Sequence, residues 1–100
     1  MAHAATPHGK LLLDPGATTA IKERGTSLLA AGVNGVEGEF IAGDTVELLS
    51  PNREVIARGL VAFDSSEIPA MLGKSTKQLA AELGPEYERE LVHRDDLVLL

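Results

Sequence analysis

The chain contains no cysteine. Disulfides, thiolate metal sites and cysteine nucleophiles are therefore excluded, and a reducing compartment fits. Aromatic residues are scarce as well: Phe40, Phe63 and Tyr87 are the whole set. Modules that read single-stranded bases stack them on aromatic platforms, and this chain has little with which to build one. Phe40 and Phe63 sit in strand-like sequence and are expected in the core. No apolar run approaches the ~20 residues that cross a bilayer as a helix. The first ten residues lack the basic flank and long apolar stretch of a secretory signal. The expected location is cytoplasmic. A basic excess is also missing. The net charge is −6, with three basic and six acidic side chains in residues 1–50 and six and nine in residues 51–100. Nucleic-acid binders usually draw affinity from a positive face, and the global field here opposes RNA.

What remains is the composition of one soluble globular domain: 100 residues, 44% hydrophobic and 24% charged. A chain of this size buries roughly two-thirds of its unfolded surface, enough for one core. Residues 1–9 hold Ala, His, Thr, Pro and Gly without periodicity and read as a flexible segment. His3 and His8 within it lack the further donors that a metal site requires.

Leu11 to Leu13 suit a buried strand. Asp14-Pro15 offers an N-cap followed by the one helical position where a missing N–H is free, and Gly25 supplies a left-handed stop, so a helix is expected over 15–24. Ser27 to Phe40 is apolar and glycine-rich, with Gly32, Gly35 and Gly38 at intervals of three. Glycines in strand-like sequence mark bends or close backbone approach. Thr45 to Leu49 reads as a strand with Val46 and Leu48 on one face. The alternation from Val55 to Phe63 is the clearest strand in the chain, with Gly59 expected to bend it. Two short helices follow, over 67–72 and 76–83. Ser75 and Gln78 form a capping box for the second, and Gly84-Pro85 closes it. Glu86 to Glu90 reads as a loop and Arg94-Asp95-Asp96 as a turn. Leu97 to Leu100 is expected to be a last strand that takes the C-terminus into the core.

Two motifs invite chemistry and fail on spacing. Gly73-Lys74-Ser75 resembles the end of a phosphate-binding loop, but the glycine needed five residues earlier is Ile68. It reads better as a helix stop followed by an N-cap. His93-Arg94-Asp95 resembles a kinase catalytic loop, but Asp96 replaces the required Leu. The acidic pairs Asp95-Asp96 and Glu37/Glu39 offer too few donors for a metal cage. No catalytic or metal-binding residue is assigned.

Several stretches resemble a known family. They are Ser27-Leu28-Leu29-Ala30-Ala31-Gly32-Val33, Val36-Glu37-Gly38-Glu39-Phe40, Gly43-Asp44, Glu54-Val55-Ile56-Ala57-Arg58-Gly59-Leu60-Val61, Leu72-Gly73-Lys74-Ser75 and Val92-His93-Arg94-Asp95-Asp96-Leu97-Val98-Leu99-Leu100. Together they resemble a PUA domain of the kind found at the C-terminus of bacterial glutamate 5-kinases, over about residues 10–100. The resemblance implies a mixed, β-rich PUA-like pseudobarrel with short α-helices. It implies a parent enzyme that transfers the γ-phosphoryl group of ATP to the side-chain carboxylate of glutamate, opening proline biosynthesis. ATP and magnesium would belong to an amino-acid-kinase domain outside this chain. The chain itself would then be an accessory domain without catalytic residues, in contact with the kinase domain and neighbouring subunits. The alternative implication is an RNA-binding module. Its binding face would use Leu29, Ala31, Gly32, Val33, His93 and Arg94, with Lys10 and Lys74 as further basic candidates.

Overall fold

The computed structural model describes residues 8–100. Residues 1–7, with His3 and most of the segment read as flexible, lie outside the described residues. Strand β1 (Gly9–Leu13) is followed by helix α1 (Pro15–Arg24), strands β2 (Val33–Gly38), β3 (Thr45–Leu49) and β4 (Val55–Val61), helix α2 (Thr76–Leu83) and strand β5 (Val92–Leu99). The five strands form one mixed sheet in the order β2-β1-β3-β4-β5. Only β1 and β3 run parallel; the other neighbours are antiparallel.

Local chemistry sets the helix ends. The Asp14 carboxylate accepts the Ala17 N–H at 2.7 Å, and Gly25, at φ +59°, donates its N–H to the Ile21 carbonyl at 3.0 Å. Ser75 and Gln78 cap α2 reciprocally, at 3.2 and 3.0 Å. Gly73 has a φ of +74°, so Gly73-Lys74-Ser75 is a turn leading into an N-cap, as its spacing implied.

One face of the sheet carries the core. Leu11 and Leu13 of β1, Val46 and Leu48 of β3, and Ala57 and Val61 of β4 pack with Leu28, Ile21 of α1, Ile68, Met71 and Leu79 of α2, none more than 2% exposed. Burial of this set is the main favourable term in folding. Phe40 and Phe63 are both buried. Tyr87 stacks on Phe63 with ring centres 5.5 Å apart, and its hydroxyl donates to Glu67 at 2.8 Å. That hydrogen bond to a carboxylate pushes the phenol pKa upward.

Four expectations need correction. The helix expected over 67–72 is a single 3-10 turn, Ile68–Ala70, closed by one bond from Met71 N–H to the Ile68 carbonyl. Pro69 can donate no bond, and Gly73 stops any extension after one turn. The loop expected over 86–90 includes the last two residues of another 3-10 turn, Pro85–Tyr87. Arg94-Asp95-Asp96 is not a turn but lies within β5. The C-terminus is not core: Val98, Leu99 and Leu100 are exposed. The cause is the path of β5. Val92 pairs with Val61 and Leu97 with Gly59, so six residues of β5 span three of β4. Val92 fills the core beside Gly59, and the chain beyond the bulge runs on as an edge strand. A smaller difference is that Gly9, read as part of the flexible segment, is buried as the first residue of β1.

Candidate functional site

Backbone hydrogen bonds gather most of the sequence-derived face around the turn that follows α1. Leu28 N–H donates to the Val92 carbonyl at 2.9 Å and Leu91 N–H to the Leu28 carbonyl at 2.8 Å. Arg94 N–H donates to the Ser27 hydroxyl at 2.8 Å. Gly73 N–H donates to the Ala30 carbonyl at 3.0 Å, and Asp14 N–H to the Gly32 carbonyl at 2.9 Å. The 3-10 turn Ala30–Gly32 is thus fixed to the start of β5, to the turn before α2 and to the cap of α1. Gly32 is required there. A Cβ on it would stand 2.6 Å from the Ala17 Cβ, closer than any real contact. The turn therefore lies directly against α1, and Ala17, Ile21, Leu28, Leu29, Ala31 and Gly32 line an open groove of about 400 Å³.

The candidate residues divide. Leu29 and Ala31 are exposed beside the groove, and Gly32 is half-buried in its wall. Val33 is 1% exposed and serves the core, so its side chain presents nothing to a ligand. His93 and Arg94 are exposed on β5. The His93 ring accepts the Asp95 N–H at 3.1 Å and lies 3.6 Å from the Asp95 carboxylate. Lys74 follows the bond that ties Gly73 to Ala30, but it is paired with Glu82. Lys10 is on the outer face of the sheet, opposite Glu37 on β2 and beside Glu47 on β3.

The outer face holds what a reading of single segments does not reveal. Register aligns Glu37, Lys10, Glu47 and Arg58 in one row across β2, β1, β3 and β4. Arg53 closes the row with two bonds to Glu37, at 3.0 and 3.1 Å, and Arg58 approaches Glu47 at 3.6 Å. The Arg53 guanidinium holds the Glu37 carboxyl below its ordinary pKa. On β5 the row ends in Val98. Leu60, one step further along β4, lies with Val98 and Leu100 on an open depression of about 380 Å³ rimmed by Thr45, Arg58 and Asp96. Strand alternation hinted at each of these residues. Their alignment depends on register, which local sequence does not fix.

Residues 9–83 match the PUA domain family model. The chain belongs to the PUA domain family. The match runs from the first residue of β1 to the last of α2, and β5 completes the PUA domain's sheet beyond it. Among curated proteins, the chain is 62% identical over 100 residues to the glutamate 5-kinase of Frankia casuarinae, covering all of this chain and 27% of that protein. It is 63% identical over 98 residues to the glutamate 5-kinase of Streptomyces avermitilis, covering 98% of this chain and 26% of that protein. The chain thus spans about a quarter of the length of the relatives it matches. Among solved structures, a PUA domain from Aeropyrum pernix in complex with tartrate superposes with a TM-score of 0.61 at 26% identity, over 93% of this chain and 42% of that one. The mixed, β-rich fold implied by the resemblance is therefore the observed one.

Proposed function

We propose that the chain is the C-terminal PUA domain of a cytoplasmic glutamate 5-kinase, and that it serves the enzyme as an accessory domain. The observation that carries this reading is identity above 60% along essentially the whole chain to two enzymes of that name. The parent protein passes the γ-phosphoryl group of ATP to the side-chain carboxylate of glutamate, and this commits glutamate to proline synthesis. ATP and magnesium belong to the remaining part of that protein. Among the described residues no three His, Asp or Glu side chains gather as a metal site requires, which supports this division. The domain's part is to dock on the kinase domain or a neighbouring subunit and tune assembly or feedback. The test compares the full-length protein with a form lacking residues 9–100. The full-length protein should phosphorylate glutamate, and the shortened form should differ in kinetics, response to proline or assembly. Unchanged values for all three would remove the accessory role. Absence of glutamate phosphorylation by the full-length protein would remove the parent assignment.

The RNA-binding reading has less support. Of the basic side chains proposed for that face, Lys74 is engaged by Glu82 and Lys10 stands between Glu37 and Glu47. That leaves Arg94, followed directly by two aspartates, in a chain of net charge −6. Salt-sensitive binding to a structured RNA stem that is lost in Arg94→Ala would restore it.

A further inference from the structure

The outer face of the sheet changes character at β4 and β5. Leu60 is 44%, Val98 63% and Leu100 66% exposed, and alternation along the strands puts all three on the side facing away from the core. Their surroundings are polar: Thr45 lies opposite Leu60, Arg58 opposite Val98, and Asp96 borders the same depression. An apolar centre with a polar rim is the anatomy of a protein interface.

We propose that Leu60, Val98 and Leu100 form the seat of the remaining, covalently attached part of the parent protein. The proposal rests on the reading of this chain as one domain of a longer glutamate 5-kinase. Two observations favour a tethered occupant over a second copy of the chain. Three side chains cannot supply the roughly 800 Å² per partner that a stable complex of separate molecules buries. A tethered domain meets the patch at an effective concentration of the order of millimolar and can use a smaller, more polar contact. Edge-to-edge extension of the sheet by a second copy is also obstructed along part of β5. Ser27 and Leu28 already hold backbone groups of Val92 and Arg94, the first half of β5. The chain outside this domain amounts to nearly three quarters of the relatives' length, ample for such an occupant.

Because the chain has no cysteine, one introduced thiol reports on the patch within this domain. The experiment measures alkylation of V98C, by peptide mapping, in the full-length protein and in the 100-residue chain. K77C on α2, exposed and outside the patch, serves as the reference. V98C should react about tenfold more slowly in the full-length protein at every protein concentration, while K77C reacts alike in both. L60C reads the same patch should V98C disturb the strand. Equal rates in the two proteins would overturn the proposal. Protection that disappears on dilution would overturn it in favour of a second copy. Glutamate phosphorylation by the unmodified full-length protein is scored separately, so loss of the parent reading is distinguishable from loss of the docking surface.

Discussion

The two ends of one sheet face solve the problem of exposure differently. At the β2-β1-β3 end, every carboxylate in the central row has a cation beside it: Arg53 with Glu37, Lys10 between Glu37 and Glu47, and Arg58 at Glu47. Alternating sign across neighbouring strands is favourable to the sheet and leaves each carboxylate already partnered. At the β4-β5 end, the row passes from Arg58 to Val98, and apolar side chains stand in water. The charged end is complete within the chain, whereas the apolar end gains by being covered. A cluster of charge is thus a weaker pointer to a partner here than three exposed aliphatic side chains.

The largest effect comes from breaking the joint that separates the two ends. Gly59 lies where β5 bulges away from β4. A Cβ there would stand 2.5 Å from Val92 Cγ1 and 3.1 Å from the Asp96 carbonyl oxygen. Val92 is fully buried and the second contact is backbone, so neither can yield cheaply. Gly59→Val should destabilise the chain by about 3 kcal/mol, the upper end of the overpacking range, read from its urea midpoint. A stability loss under about 0.5 kcal/mol, the range of surface substitutions, would mean that the bulge and the outward turn of β5 do not depend on this close approach.

The same joint marks how far the sequence could be read. Capping chemistry is local, so Asp14-Pro15, Gly25 and the Ser75/Gln78 box define α1 and α2 at the residues expected. Alternation identified β3 and β4 and set Val46 with Leu48, and Ala57 with Val61, on shared faces, which the structure turns to the core. The fate of Leu97 to Leu100 was misread because an apolar run at the end of a chain has two homes, a core or an uncovered edge, and only strand order distinguishes them. The turn expected at Arg94-Asp95-Asp96 failed for a related reason. Polar residues favour turns in isolation, but here the bond from Arg94 N–H to Ser27, and the β4 pairings of Val92 and Leu97 on either side, hold the segment extended. Of the candidate face, Leu29, Ala31, Gly32, His93 and Arg94 come together through the Leu28–Val92 bridge, a contact between segments more than sixty residues apart. Lys10 shares neither that bridge nor those bonds, because alternation along β1 turns it away from Leu11 and Leu13 and toward Glu47.

A second prediction sharpens the contrast at the apolar end. Leu60→Ser combined with Val98→Ser should leave the stability of the 100-residue chain within about 0.5 kcal/mol of its starting value, as for ordinary surface positions. Chemical denaturation measures this directly. Were these side chains part of the core, removing them would cost about 2 kcal/mol or more each, and the division of the face would be lost.

The smallest effect lies at the charged end, and its sign is fixed by Glu37. Hydrogen bonding and charge from Arg53, with a further contribution from Lys10, hold its carboxyl below the ordinary value. A carboxyl lowered in the folded state adds stability above the unfolded pKa, and that stability is lost as pH falls through the folded value. Arg53→Gln should therefore raise the Glu37 midpoint toward its ordinary value and flatten the stability profile in acid, with little change at neutral pH because the pair is exposed. Titration of the Glu37 carboxyl carbon by NMR reads the shift, and added salt should reduce it in the unaltered chain. Lys10→Gln should raise the midpoint less, since Arg53 alone bonds the carboxylate directly. If the two substitutions exchanged ranks, Lys10 would be the true partner of Glu37. The row would then leave Arg53 unengaged, and the charged end would no longer be complete within the chain.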